Sequence, residues 1–184
     1  GTVYTLSRMG LLHCLDAESG AKLWSRYIRA DFGGQPPSWH YAMSPKIDGD
    51  KLIVCPGGRT GVATLNKETG ETIWTGGLQG PPGYATPVVA TLQGRKQYVI
   101  FAGTVLFGVD AEEGGDALWQ IPWVNKSKVN AAVPIVAEDF IFITCDYGLG
   151  CALIYVGAEG ARVYWENKEM QSHFSSPIYY KGYF

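Results

Sequence analysis

Residues 15–24, with the sequence Leu-Asp-Ala-Glu-Ser-Gly-Ala-Lys-Leu-Trp, decide the fold because related stretches return along the chain. Residues 65–74 and 109–119 repeat the Asn or Asp near the start, the glycine and the final tryptophan. A fourth copy, residues 156–165, also ends in tryptophan but has Gly157 in place of the acidic residue. The tryptophans are 50, 45 and 46 residues apart: Trp24, Trp74, Trp119 and Trp165. A nearly constant spacing of this length indicates a protein built of structural repeats.

A second marker, a proline preceded by a small residue, keeps nearly the same period. Its four copies are spaced by 42, 47 and 43 residues: Ser44-Pro45, Thr86-Pro87, Val133-Pro134 and Ser176-Pro177. Because two unrelated markers keep step along the whole chain, we interpret the tryptophans as repeat positions and not as scattered core residues.

Each unit contains four short runs rich in valine, isoleucine and leucine, bounded by glycine or aspartate. In the second unit these runs are residues 45–48, 51–55, 62–65 and 71–74. Such runs predict strands joined by tight turns, and no window keeps a helical spacing beyond one turn. We therefore predict an all-β fold of about four contiguous, four-stranded antiparallel blades of a β-propeller. The predicted repeat units are roughly residues 1–28, 42–78, 84–123 and 131–168, with the start of a further unit at 174–184.

Composition argues against a nucleic-acid-binding, a membrane-spanning or a disordered protein. The net charge is −2, from 15 basic and 17 acidic residues, so the chain as a whole lacks the basic footprint of a nucleic-acid-binding protein. No apolar run approaches the roughly 20 residues of a membrane-spanning helix. With 46% hydrophobic and 17% charged residues, the composition is that of a folded globular chain and not of a disordered one.

The unit of small residue and proline, two strands, an Asp-x-x-x-Gly turn and a tryptophan resembles the repeat of the pyrroloquinoline quinone (PQQ) type propellers. The resemblance covers the whole chain, and residues 17–24 are its best copy. WD-type and kelch repeats match less well, because no repeat tryptophan precedes an aspartate and the Gly-Gly pairs have no fixed place.

This resemblance implies an eight-bladed ring, in which each tryptophan docks its blade on the next, in a periplasmic or secreted protein. Four blades cannot close such a ring. We therefore expect a fragment of a protein of about twice this length, whose remaining blades pack against those present here.

Candidate binding residues come from the connections that, by the resemblance, share the face on which quinoprotein active sites open. Two connections are long, residues 29–43 and 122–133, and each holds a tryptophan outside the repeat register. The predicted ligand-binding residues are Trp39, His40, Arg59, Trp123, Asn130, Asp146, Tyr147 and His173. The alternative is that these side chains cap the blade cores or form hydrogen bonds at the rim. The three histidines share no metal-ligand spacing, so no metal site is predicted, and no catalytic residue is assigned.

Two functional classes are open at this point. The first is an extracytoplasmic scaffold that binds a small molecule or a protein at its loops, because many proteins with this repeat bind no PQQ. The second, by resemblance, is a dehydrogenase that oxidises an alcohol or a sugar with PQQ and calcium. That family often has two adjacent cysteines, and the four cysteines here include no adjacent pair. No cofactor is evident from the residues, and PQQ with calcium follows only from the resemblance.

The cysteines allow one crosslink. Cys145 and Cys151 flank a short hairpin loop, so a disulfide between them is geometrically allowed. The default for all four cysteines is a free thiol that packs as a small apolar side chain.

Overall fold

The computed structural model describes residues 1–184 and contains fifteen strands and one helical turn. The strands are β1 (Thr2–Leu6), β2 (Leu11–Asp16), β3 (Lys22–Tyr27), β4 (Lys46–Asp48), β5 (Lys51–Val54), β6 (Val62–Asn66), β7 (Thr72–Gly76), β8 (Val88–Leu92), β9 (Arg95–Phe101), β10 (Val105–Asp110), β11 (Gly114–Pro122), β12 (Ile135–Ala137), β13 (Phe140–Cys145), β14 (Gly150–Gly157) and β15 (Gly160–Asn167). The helical turn, α1 (Ile28–Asp31), lies in the first long connection. No helix of the chain has the length and apolar character needed to cross a membrane.

The strands form four successive antiparallel units, which confirms the predicted all-β propeller fold. Strands β4–β7, β8–β11 and β12–β15 each form a four-stranded unit in chain order. The first unit differs from the prediction, because it contains three strands, β1–β3. A single parallel bridge between Gly76 and Gly115 joins the second unit to the third.

The repeated turn is built by one side-chain oxygen. Asp16 Oδ1 accepts the backbone N–H of Ser19 at 2.8 Å, and Asn66 Oδ1 accepts that of Thr69 at 3.0 Å. Asp110 Oδ1 makes the same contact in the third unit. In the fourth unit, which lacks the acidic residue, the turn is shorter and Gly157 pairs directly with Gly160. The sequence difference in the fourth repeat is therefore a difference in turn type.

Each repeat tryptophan lies on the last strand of its unit, next to an irregularity in the pairing. Trp24 pairs with Cys14, Trp74 with Thr64, Trp119 with Gly108 and Trp165 with Leu153. In all four units the register shifts at this point, and the residue before the tryptophan has no cross-strand partner. A β-bulge increases local twist and redirects the next side chain, so the same device orients all four indoles.

Three apolar cores lie between consecutive units. In β5, Leu52 and Val54 belong to the core shared with the first unit, whereas Ile53 belongs to the core shared with the third. In β9, Tyr98 faces the second unit and Val99 faces the fourth. Successive side chains of a strand point to opposite faces, so each inner sheet is buried on both sides. This is the packing of propeller blades arranged side by side.

The repeat tryptophans lie at these junctions. Trp24 Nε1 donates to the backbone carbonyl of Lys67, in the turn of the second unit, at 3.0 Å. A Cβ on Gly70 would lie 2.9 Å from the Trp24 ring, and one on Gly114 would lie 2.5 Å from the Trp74 ring. Each of these two indoles thus packs against the turn glycine of the following unit.

The proline marker also has a structural basis. The backbone N–H of Ser44 donates to Thr86 Oγ1 at 3.4 Å, and that of Val133 donates to Ser176 Oγ at 2.9 Å. The residue before the proline in one unit therefore contacts its counterpart in the next. This contact aligns neighbouring connections and brings their equivalent residues together.

Antiparallel pairing sends alternate connections to opposite ends of the sheets. We call one end the loop face; it comprises residues 7–10, 28–45, 55–61, 77–87, 102–104, 123–134, 146–149 and 168–176. The other end, the turn face, comprises residues 17–21, 49–50, 67–71, 93–94, 111–113, 138–139 and 158–159. The candidate residues all lie on or next to the loop face.

Candidate binding site at the loop face

An apolar cavity of about 540 Å³ opens on the loop face. It is lined by side chains from three successive connections, from the β13–β14 loop and from the segment that follows β15. The lining residues are Trp39, Ala42, Tyr84, Val129, Ala131, Tyr147, His173 and Phe174. Because the lining residues come from connections of different repeat units, the cavity forms only when these units pack side by side.

Half of the residues that line the cavity occupy equivalent positions in the four repeats. Four of the residues stand three positions before a marker proline, one from each repeat: Ala42, Tyr84, Ala131 and Phe174. The alignment of neighbouring connections brings these equivalent positions to one cavity. Small and aromatic side chains alternate among them, which leaves open space between two rings.

One side of the cavity is held by a hydrogen bond between two aromatic residues. The backbone N–H of Trp39 donates to Tyr84 Oη at 3.1 Å, and the two ring centroids are 6.4 Å apart. Burial raises the pKa of Tyr84, so its hydroxyl stays neutral and accepts this bond at ordinary pH. Trp39 remains 62% exposed, which is unusual for so large an apolar side chain.

A second side of the cavity is an aromatic stack. The Tyr147 ring meets the His173 ring edge-on at 5.0 Å, and His173 stacks on Phe174 at 3.7 Å. His173 Nε2 has no hydrogen-bond partner although it is shielded from solvent. Phe174 is 71% exposed. This side therefore offers two aromatic faces and one unused imidazole nitrogen.

Three of the eight predicted residues line the cavity: Trp39, Tyr147 and His173. His40 follows Trp39 but its Nε2 lies 2.6 Å from Arg8 Nη2. The Asn130 side chain is fully buried, and its Nδ2 donates to the carbonyl of Ala102 at 2.8 Å.

Two further predicted residues, Trp123 and Asp146, do not line the cavity. Trp123 is buried, and its Nε1 donates to Cys145 Sγ at 3.2 Å. Burial raises the pKa of the Cys145 thiol, so it stays protonated in this contact. Asp146 adjoins Tyr147 in the chain but is absent from the cavity lining.

The eighth predicted residue, Arg59, lies in a separate polar groove of about 510 Å³ on the same face. The groove is lined by Gln35, Pro36, Gly58, Arg59, Gln79, Gly80, Pro81 and Lys128. The groove and the cavity adjoin in the chain, because Lys128 lines one and Val129 lines the other. Whether any of the eight residues binds a ligand stays a prediction.

The cysteines are free. Thr144 pairs with Cys151 and Cys145 pairs with Gly150, so the two thiols of this hairpin point to opposite faces of the sheet. Cys145 Sγ faces Trp123, whereas Cys151 Sγ lies 3.2 Å from Asn167 Oδ1. The pairing register explains why the allowed disulfide is not formed.

The cavity lining does not fit the calcium ion implied by the resemblance. Calcium requires six to eight oxygen ligands, several of them carboxylates, and the cavity lining contains no carboxylate. No group of three His, Cys, Asp or Glu side chains is placed to hold a metal ion. The arrangement suits instead the binding of an apolar or aromatic group between rings.

Sequence reasoning missed five lining residues: Ala42, Tyr84, Val129, Ala131 and Phe174. For four of them the signal was present, since they keep a fixed distance from the marker proline. Val129 has no such signal, because its orientation depends on the fold of its own connection.

Comparison with known proteins agrees with this architecture. A sequence model of the family described as outer membrane protein assembly factor BamB matches residues 1–182. The structure of BamB from Moraxella catarrhalis is similar, with a TM-score of 0.57, 17% identity and 93% of this chain covered. No curated protein sequence matches the chain.

Two quinohemoprotein alcohol dehydrogenases share the fold as well. The enzyme ADHIIG from Pseudomonas putida HK5 has a TM-score of 0.60 at 13% identity, with 92% of this chain covered. The enzyme from Comamonas testosteroni has a TM-score of 0.60 at 12% identity, with 93% covered. The chain spans 62% of the Moraxella protein, and 33% and 34% of the two dehydrogenases.

Proposed function

This chain belongs to the family described as outer membrane protein assembly factor BamB, and we propose that it is an extracytoplasmic scaffold that docks a protein partner on its loop face. The observation that carries the proposal is the cavity, whose lining is mostly aromatic and apolar. A concave apolar site of this kind can receive an aromatic or aliphatic side chain of a partner.

The exposure of Trp39 supports a macromolecular partner. This side chain lines the cavity and is 62% exposed. Large exposed aromatic side chains are enriched where one protein docks on another, and they carry much of the binding energy there. A pocket for a small cofactor would instead enclose the cofactor, and its aromatic lining would be largely buried.

The remaining blades of the ring are part of the same proposal. Trp24 and Trp74 pack on the next unit, and Trp165, on the last unit, is 36% exposed. We propose that Trp165 docks on a further blade in the same way, as the repeat implies. The periplasm is the compartment that the family description favours.

The proposal is tested by site-specific crosslinking in the native organism. A photoreactive phenylalanine analogue replaces Trp39 or Phe174, with Leu23, 55% exposed on the outer strand β3, as the control position. We expect the two loop-face positions to form an adduct with a component of outer-membrane protein assembly, identified by mass spectrometry. We also expect a Trp39→Ser, Phe174→Ser variant to lower the amount of outer-membrane proteins. Adducts at Leu23 alone, or unchanged outer-membrane proteins, would contradict the proposal.

The dehydrogenase alternative has its own test. The full chain is incubated with PQQ and calcium chloride and separated by gel filtration. The scaffold proposal expects no quinone absorbance with the protein peak. Stoichiometric co-elution of PQQ would replace the scaffold with the oxidoreductase.

A further inference from the structure

Charge is divided between the two ends of the propeller. The loop face carries six cations and three carboxylates: Arg8, Arg29, Arg59, Lys126, Lys128 and Lys168, with Asp31, Asp146 and Glu169. The turn face carries one cation and nine carboxylates: Lys67, with Glu18, Asp50, Glu68, Glu71, Glu112, Glu113, Glu138, Asp139 and Glu159. The overall charge of −2 therefore hides a positive loop face and a strongly negative turn face.

The loop-face cations have no carboxylate partner of their own. All six are exposed, and none takes part in an ion pair. The cations that are paired are Arg26, Lys51, Arg95 and Lys96. One of the three loop-face carboxylates, Asp31, is already bound by Arg26 at 2.6 Å. The loop face thus keeps free positive charge for an external anion.

Two of these cations belong to a fixed turn that also places Val129 in the cavity lining. Asn125 Oδ1 accepts the backbone N–H of Ser127 and of Val129, both at 3.1 Å, and its Nδ2 donates to the Val129 carbonyl at 2.8 Å. The buried Asn125 side chain therefore exposes Lys126 and Lys128 while Val129 lines the cavity. Arg59 lies across the adjoining groove from Lys128.

We infer that the loop face binds an extended acidic segment of a partner protein, which places one aromatic or large aliphatic side chain in the cavity and its carboxylates on Arg59 and Lys128. This inference rests on the proposed scaffold function and adds the chemistry of the partner. The free cations supply charge complementarity, and the cavity between Trp39 and Phe174 supplies the apolar anchor.

A protein segment fits this face better than a membrane surface does. An anionic membrane would meet a broad basic surface with protruding apolar groups. Here the apolar groups surround a concavity of about 540 Å³, and its adjoining groove is lined by side chains that are polar or small. A side chain can enter such a concavity, whereas a flat bilayer surface cannot.

The test uses the full chain and a fluorescein-labelled peptide, Gly-Asp-Glu-Phe-Phe-Glu-Asp-Gly, followed by fluorescence polarisation. We expect saturable binding below about 1 mM that weakens at least about tenfold between about 0.05 M and 0.5 M salt. Two control peptides separate the apolar from the electrostatic contribution to binding. One has Ala in place of both Phe residues, and the other has Gln and Asn in place of Glu and Asp. Each is expected to bind at least about tenfold more weakly.

Protein variants assign the contacts. Arg59→Glu is expected to weaken binding about tenfold, and its matched control is Lys22→Glu, the same charge reversal at an exposed, unpaired position of β3. Ala131→Trp, which fills the cavity, is expected to abolish the preference for Phe over Ala in the peptide. The control peptides keep the test valid if a protein variant fails to fold.

Three results would overturn the inference: no saturable binding, equal binding of the Ala peptide, or equal effects of Arg59→Glu and Lys22→Glu. Binding of the protein to anionic vesicles without binding of the peptide would overturn it in favour of a lipid surface. Crosslinks from Trp39 and Phe174 to an assembly component, together with failure of the acidic peptide, would leave the scaffold standing and remove only the acidic partner.

Discussion

Trp24 Nε1 donates a hydrogen bond to the backbone carbonyl of Lys67 in the next unit, 3.0 Å away. Lys67 belongs to the turn that Asn66 caps, so one short sequence motif builds the local turn and also forms the junction with the preceding blade. The repeat is therefore the unit of both local and tertiary structure. Its effects on stability can be separated by substitutions at equivalent positions.

The turn glycines provide such a pair. Gly20 and Gly70 have φ values of 71° and 74°, but only a Cβ on Gly70 would meet Trp24. Gly20→Ala is expected to cost about 1 kcal/mol from the left-handed backbone alone. Gly70→Ala is expected to cost about 1–3 kcal/mol more, because the new methyl group overpacks the junction. Urea unfolding of both variants measures the difference, and equal losses would show that Trp24 does not pack there.

Stability is expected to fall in acid through Asp48. Burial alone raises its pKa, but the hydrogen bonds from Lys96 at 2.7 Å and from Tyr98 at 2.9 Å outweigh burial and hold the pKa below its ordinary value of 3.8. A lowered folded pKa stabilises the fold above that ordinary value, and the stabilisation is lost as pH falls through the folded pKa.

The measurement is urea unfolding at pH 7 and at successively lower pH down to about pH 2. Asp48→Asn is expected to be less stable than the wild-type chain at pH 7, and the two curves should converge in acid. Asp50→Asn, at an exposed carboxylate without an ion pair, is the control and should show no such convergence. A gap between Asp48→Asn and wild type that does not change with pH would contradict the assignment.

The fold was predictable because its determinants are local and repeated. The Asx turn at Asp16, the glycine that follows and the tryptophan at position 24 lie within ten residues and recur in register. In the first unit the same signals mark β1–β3, which correspond to the last three strands of each other unit because Trp24 lies on β3 beside the bulge.

The site was less predictable because orientation within a connection is set by tertiary contacts. Within residues 126–130, Lys126 and Lys128 are exposed whereas Val129 and Asn130 are buried, and the buried side chain of Asn125 decides this order. No periodicity marks it. The division of charge, by contrast, follows from the sequence once strands are assigned, since it needs only the alternation of connections between two ends.

Tyr84 is expected to order the segment that carries Trp39. Tyr84→Phe removes the acceptor of the Trp39 N–H, bonded at 3.1 Å, and leaves the ring in place. Amide hydrogen exchange at Trp39 should become about fivefold faster, because a hydrogen bond of this kind contributes about 1 kcal/mol. Tyr27→Phe is the control, since the Tyr27 ring is 37% exposed and its hydroxyl makes no hydrogen bond. Unchanged exchange in Tyr84→Phe would show that the bond does not hold Trp39.

Asn130 is expected to act on stability. Its buried side chain donates to the carbonyls of Ala102 and Trp123, so Asn130→Ala should cost about 1–3 kcal/mol by leaving buried groups unpaired. Gln79→Ala, at an exposed side chain without hydrogen bonds, should change stability by less than about 0.5 kcal/mol. If Asn130→Ala keeps its full stability and loses affinity for the acidic peptide, the residue binds ligand as the sequence suggested.

The proline marker predicts a stabilising substitution. At the first junction the Ser44 N–H donates to Thr86 Oγ1, and at the third the Val133 N–H donates to Ser176 Oγ. At the middle junction the N–H of Thr86 has no such acceptor, because the equivalent residue is Val133, which has no hydroxyl. Val133→Thr adds that acceptor with little change of shape and is expected to stabilise the fold by about 0.5–1.5 kcal/mol. Thr86→Val removes the acceptor at the preceding junction and should destabilise it by a similar amount. The melting temperatures of the two variants should therefore shift in opposite directions, and a loss of stability in both would show that the hydroxyls do not align the connections.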